Sequence, residues 1–127
     1  MPARVSFDYA VIRIVPHVER EEFINAGVIL LCREKKFLDA RVQLDAVRLH
    51  ALCPTCDVAA VQNQLEAFPR LCAGDTNAEG IKQMTQAERF RWLTSPRSTT
   101  IQISPAHPGL CDDPRQELER LFREMVE

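Results

Sequence analysis

Two apolar runs in the first third of the chain constrain its fold more than any other feature. Residues 7–15 read F-D-Y-A-V-I-R-I-V, and residues 28–33 read V-I-L-L-C-R. The first run is rich in β-branched and aromatic residues, and Pro16 ends it. In an extended chain Ala10, Ile12 and Ile14 share one face, and Phe7, Tyr9, Val11, Arg13 and Val15 share the other. Both faces are largely apolar, so the run reads as a strand covered on both sides. The second run is continuous and reads as another central strand.

The segment between them is short and acidic, with Glu19, Glu21 and Glu22, and it is anchored by Phe23 and Ile24. It suits a helical turn, followed by a turn at Asn25-Ala26-Gly27. Glu34-Lys35-Lys36 makes a hairpin loop somewhat longer than a tight two-residue turn. Leu38, Ala40, Val42 and Leu44 then alternate with Asp39, Arg41 and Gln43, a strand with one wet face.

Past residue 45 the period changes to 3.6. Asp45 can cap a short helix through His50 and Leu52, interrupted by Pro54. Asp57 can cap a longer one with Val58, Val61, Leu65, Phe68 and Cys72 on one stripe, where Pro69 can end it early. Residues 72–80, with Gly74, Asp75, Asn77 and Gly80, read as a loop. Thr85-Gln86-Ala87-Glu88 is a capping-box pattern for a helix through Phe90, Trp92 and Leu93 that stops before Pro96. Residues 99–104 read as a fourth strand and residues 105–112 as a long loop. Asp113-Pro114 opens a last helix with Leu118, Leu121, Phe122 and Met125 on its buried stripe.

The expected order is β-β-β-α-α-α-β-α. Segregated strands and helices argue for the α+β class: an antiparallel sheet of about four strands covered by helices, in one domain over residues 1–127. Of the 127 residues, 46% are apolar and 27% charged, enough for a core without staples. The net charge of -2 gives no reason to expect nucleic acid or an anionic membrane as partner. No run approaches the roughly 20 apolar residues of a membrane span, and no targeting segment is evident. The expected location is the cytoplasm, with reduced thiols.

Five cysteines, an odd number, argue against a disulfide framework. Cys53-Pro-Thr-Cys56 is the most visible motif. Only one such pair is present, whereas a closed structural zinc site takes four ligands, so Cys53 and Cys56 are weak metal candidates. A redox pair is the second reading, and small residues packing at a helix–helix corner the favoured one. No metal and no cofactor is expected. Nucleophile elbows, phosphate-cradling glycine loops and metal-hydrolase histidine spacings are all missing from the sequence.

The richest segment is Arg89 to Gly109. Arg89, Arg91 and Arg97 surround Trp92, with Ser98 and Thr99 nearby. Such a group can grip a phosphate, a carboxylate or an unstacked base. The blander reading puts Phe90 and Trp92 in the core and the arginines on the helix surface. His107, between Pro105 and Pro108, sits on a rigid loop able to carry binding.

Three blocks carry a resemblance: Y-A-V-I-R-I-V-P-H-V-E-R-E-E-F-I-N-A-G-V-I-L from Tyr9, R-F-R-W-L-T-S-P-R-S-T-T-I-Q-I-S-P-A-H-P-G-L from Arg89, and L-E-R-L-F-R-E-M-V from Leu118. The chain resembles the bacterial family catalogued as domain of unknown function 3037, over nearly its whole length. The family pattern picks out Tyr9, Arg13, Pro16, Arg20, Glu22, Asn25 and Gly27 in the first block. In the second it picks out Arg89, Phe90, Trp92, Pro96, Ser104, His107 and Gly109. The middle segment with Cys53 and Cys56 lies outside it. Members of that family are often encoded beside serine/threonine kinases similar to HipA, so the resemblance implies a kinase as partner.

Three functional readings follow. The leading one is a non-enzymatic accessory protein, partner of a HipA-like kinase. The second is a small domain binding or processing an anionic ligand such as phosphate or a nucleotide. It needs Arg13 and Arg20 to converge with Arg89, Arg97 and His107. The third is nucleic-acid binding. The residues to watch are Arg13, Arg20, Asn25, Arg89, Trp92, Arg97, Ser98 and His107.

Overall fold

The computed structural model of the protein describes residues 4–95 and 100–127. The class is α+β, as expected, and the antiparallel sheet has five strands among these residues. Strands β1 (Val5–Ile14), β2 (Ile24–Cys32) and β3 (Phe37–Val42) form a meander. Helices α1 (Ala46–Leu52), α2 (Val58–Cys72), α3 (Glu79–Lys82) and α4 (Gln86–Leu93) follow. The chain then returns to the far side of β1 as β4 (Ile101–Ile103) and β5 (His107–Cys111), and ends in α5 (Pro114–Met125).

The two apolar runs are the two inner strands. Ala10, Ile12 and Ile14 join Ile29, Leu31, Leu38 and Ala40 beneath α1, α2 and α4. Val5, Phe7, Val28, Leu30 and Cys32 face the other way, against Leu118, Leu121 and Phe122 of α5. At roughly 1.5–3 kcal/mol per fully buried large side chain, these two layers dominate the stabilisation. The wet face of β3 meets α5 through ion pairs: Arg115 with Asp39 at 2.7 Å and Arg41 with Glu119 at 3.2 Å.

One local device keeps β2 in phase with both layers. Ile24 packs against the first core and Ala26 lies within it, yet so do Ile29 and Leu31, which have the opposite parity. A β-bulge resolves this: Ile12 pairs with Gly27 and Arg13 with Asn25, leaving Ala26 as the extra residue. Asn25-Ala26-Gly27 is therefore not the turn that its composition suggests but an irregularity inside a strand. Ala26 still finds a partner, since its carbonyl accepts from the Gln43 N–H at 2.8 Å. A Cβ on Gly27 would lie 2.8 Å from the Arg41 carbonyl oxygen and 2.9 Å from Val42 Cγ1, so the adjacent strand forbids a side chain there.

The stretch expected to be a loop, residues 105–112, is largely β5. Pro108 and Gly109 hide it from propensity reasoning, but proline is tolerated at a sheet edge. Gly109 lies opposite Phe7, whose ring covers it; a Cβ there would lie 2.6 Å from that ring. Between β4 and β5 the ladder is kept by Ser104, which is almost fully buried. Its N–H donates to the Val11 carbonyl at 2.9 Å, and its Oγ accepts from the Val11 N–H at 2.8 Å.

The helix starts follow the expected caps. Asp45 accepts from the Val47 and Arg48 N–H groups, Asp57 from that of Ala60, and Asp113 from that of Arg115. Thr85 and Glu88 form the reciprocal capping box. Helix α2 runs through Pro69 to Cys72 instead of ending early; the proline stands in its last turn and forfeits only its own bond to the carbonyl four residues back. Helix α3 is a single turn inside what composition marks as loop and linker. No helix among the described residues is long and apolar enough to cross a membrane.

Two substitutions test this account by urea denaturation. Gly27→Ala should cost about 1–3 kcal/mol, because a rigid backbone carbonyl must move. Ser104→Ala should cost about 1–3 kcal/mol, because the buried Val11 N–H loses its acceptor.

Candidate functional site

The residues singled out from the sequence do not converge. Arg89 lies on the α2/α4 side of the sheet and is spent on structure. Its guanidinium donates to the carbonyls of Ile81, Cys72 and Lys82, each at 3.3 Å, tying α4 to the ends of α2 and α3. Arg20 sits in the 3₁₀ turn Val18–Arg20 and is paired with Glu22 at 2.7 Å. Arg97 and Ser98 lie outside the described residues. Phe90 is buried, but its neighbour Trp92 is 41% exposed, so the expectation that both fill the core holds only for Phe90. Trp92 borders an apolar hollow of about 410 Å³ with Phe68, Leu71 and Ile101. Among the described residues of the composite site needed by the second reading, Arg89 lies on one face of the sheet and Arg13 on the other.

Arg13 and Asn25 do come together, on the opposite face from Arg89. They are direct neighbours across β1 and β2, and the bulge gives Asn25 the parity that puts it there. Gln102 of β4 flanks Arg13 on the other side. The Asn25 Nδ2 donates to the Met125 carbonyl at the end of α5, 3.0 Å away. That bond fixes the amide, so Oδ1 is left buried with no donor. The Arg13 Nε is likewise buried with no acceptor. The guanidinium lies over the Phe23 ring, 4.4 Å from its centroid.

A cleft of about 370 Å³ opens at this point, lined by Arg13, Val15, Val18, Glu21, Phe23 and Gln102. Phe23 is 46% exposed and Val18 44%. A buried donor without an acceptor is costly, so an acceptor entering beside it would gain a bond that the fold itself does not supply. Glu21 holds a left-handed backbone, with φ of 57°, at the end of the 3₁₀ turn that forms the rim. Farther along the same face of β1, His107 is exposed and stacks on Tyr9, its paired residue, at 5.4 Å.

Phe23, Val18 and Gln102 were not singled out from the sequence, and Glu21 was visible only as one of three carboxylates in an acidic run. Phe23 was visible only as an apolar anchor in a polar segment. Gln102 becomes a neighbour of Arg13 only through the pairing of β1 with β4.

Cys53 and Cys56, the weak metal candidates, are joined in a disulfide, against the expectation of reduced thiols. No group of three or more metal-ligating side chains exists among the described residues. Cys32, Cys72 and Cys111 are buried free thiols.

No curated protein and no solved structure matches this chain. A family model does, over residues 9–126, under the description "Protein of unknown function (DUF3037)". That span takes in the whole of the Arg13 cleft and nearly all of the sheet, and on that match the chain belongs to the DUF3037 family.

Proposed function

We propose that this protein is a non-enzymatic binding partner of another protein, and that its Arg13 cleft receives a segment carrying a carboxylate beside an apolar side chain. The observation behind it is the Arg13 guanidinium: buried Nε, no acceptor, and a stacked, half-exposed Phe23 at the mouth of the cleft. Arginine and aromatic residues are the usual anchors of protein interfaces. A carboxylate matches the guanidinium fork, and Val18 and Phe23 offer the apolar contact.

The rim argues about the kind of partner. Glu19, Glu21 and Glu22 crowd the turn above the cleft, and Glu21 lines it. Such a rim repels polyanions, which weighs against nucleic acid and against a nucleotide triphosphate. Burial pushes the Cys72 thiol up to about 12, and the Thr85 cap holds Glu88 below its ordinary value. Neither arrangement suggests acid–base catalysis. A kinase similar to HipA is the candidate partner, on the strength of the family's gene neighbours. A single small anion such as phosphate is the second reading, favoured by the size of the cleft.

Affinity capture from the native host at near-native expression, read by mass spectrometry, tests the reading. A stoichiometric protein should be recovered with the wild type, and Arg13→Ala should weaken its binding by about 2 kcal/mol or more, roughly 30-fold. Arg13→Lys should restore little, since an ammonium lacks the planar fork. Capture of the same partner at full strength by Arg13→Ala would sink the cleft reading. Loss of any partner, together with a melting temperature raised by phosphate, would favour the second.

The two arginines should separate cleanly. Arg89→Ala should lower stability by about 1–3 kcal/mol in urea, because three carbonyls lose their donor. Arg13→Ala should cost less, about 0.5–1 kcal/mol, because it loses only its stacking on Phe23.

A further inference from the structure

The Cys53–Cys56 bond closes a ring of only four residues, at the corner where α1 ends and α2 begins. As a staple it does little. In the chain-entropy picture so short a loop contributes about 2 kcal/mol, against nearly 5 for a loop of a hundred residues. The corner is also held without it. Leu49 of α1 and Val61 and Leu65 of α2 are buried in the same core. The Cys53 N–H caps α1 by donating to the Leu49 carbonyl at 2.8 Å, and Asp57 caps α2.

The loop that carries the bond is nonetheless at the surface. Pro54 and Thr55 are exposed, Cys56 is half-buried, and Cys53 lies beneath at 5% exposure. Cys56 immediately precedes the N-cap of the 15-residue α2, which places it next to the positive end of that helix. The Asp57 carboxylate offsets part of that field. The remaining thiols offer no partner for exchange. All three are buried: Cys32 and Cys111 share the core beneath α5, on the other side of the sheet, and Cys72 lies at the end of α2, its thiol raised to about 12 by burial.

We propose that Cys53 and Cys56 form a reversible thiol–disulfide site, opened by a dithiol reductant that attacks Cys56. A thiolate of the reductant bonds to Cys56 Sγ. The Cys53–Cys56 bond breaks, and its electron pair leaves on Cys53 Sγ, which takes up a proton. The second thiol of the reductant loses its proton and attacks the mixed disulfide, expelling Cys56 as a thiolate that is then protonated. Two electrons and two protons have moved to the pair, and the reductant departs as a disulfide. Oxidation by a disulfide such as oxidised glutathione reverses the sequence.

The test uses the whole native chain. Protein oxidised with glutathione disulfide, and protein reduced with dithiothreitol, are each labelled with a bulky maleimide without denaturation. The oxidised form should take no label. The reduced form should take one, at Cys56, and re-oxidation should abolish it. A thioredoxin with its resolving cysteine replaced should remain covalently joined to Cys56, as peptide mapping reads. A bond reducible only in denaturant marks a buried staple and overturns the proposal. So do thiols that stay free in oxidised glutathione, or a thioredoxin adduct that forms at Cys53 or not at all.

Discussion

Strands β1 and β2 must satisfy two apolar layers at once, and the rest of the structure follows from that requirement. A strand alternates strictly, so each residue serves one layer or the other. β1 meets this with unbroken alternation, from Val5 through Ile14. β2 cannot, because Ile24 and Ala26 have the wrong parity relative to Ile29 and Leu31. The extra residue at Ala26 repairs the phase, and the missing side chain of Gly27 lets β3 approach closely enough to keep pairing. A slip of one residue without this bulge would send the apolar set of half the strand to the wrong side.

The same repair positions the cleft. It turns Asn25 toward the α5 side of the sheet and beside Arg13, and the end of α5 then fixes the Asn25 amide. Arg13 and Arg89 show how differently one residue type can be used in one fold. Arg89 has three carbonyl acceptors and acts as mortar between helices. Arg13 has a ring beneath it and no acceptor for its buried Nε.

Much of the fold was legible in the sequence because its signals are local. Period-two and period-3.6 patterns located β1, β2, β3 and the longer helices, and the caps Asp45, Asp57, Thr85 and Asp113 marked their starts. What was lost depends on distant neighbours. β5 contains Pro108 and Gly109, poor strand formers that are acceptable only at an edge and beneath the Phe7 ring. The bulge looks like a turn because Asn-Ala-Gly has turn chemistry, and only the demands of two layers make it a strand. The site was half legible. Arg13 and Asn25 were named in advance. Their separation from Arg89, and their company with Phe23 and Gln102, follow from pairings that no local pattern encodes.

The order of the strands also dictates an order of assembly. β1 pairs on one side with its neighbour in sequence and on the other with β4 and β5, which are synthesised only after helices α1 to α4. During translation the β1–β2–β3 meander can form early, but Val5, Phe7, Val28 and Leu30 then face water until α5 emerges to cover them. The far edge of β1 stays open for the same interval. Such non-local closure slows folding and leaves a sticky nascent sheet in the meantime. A chain released before α5 is complete would therefore expose the one surface most prone to aggregate.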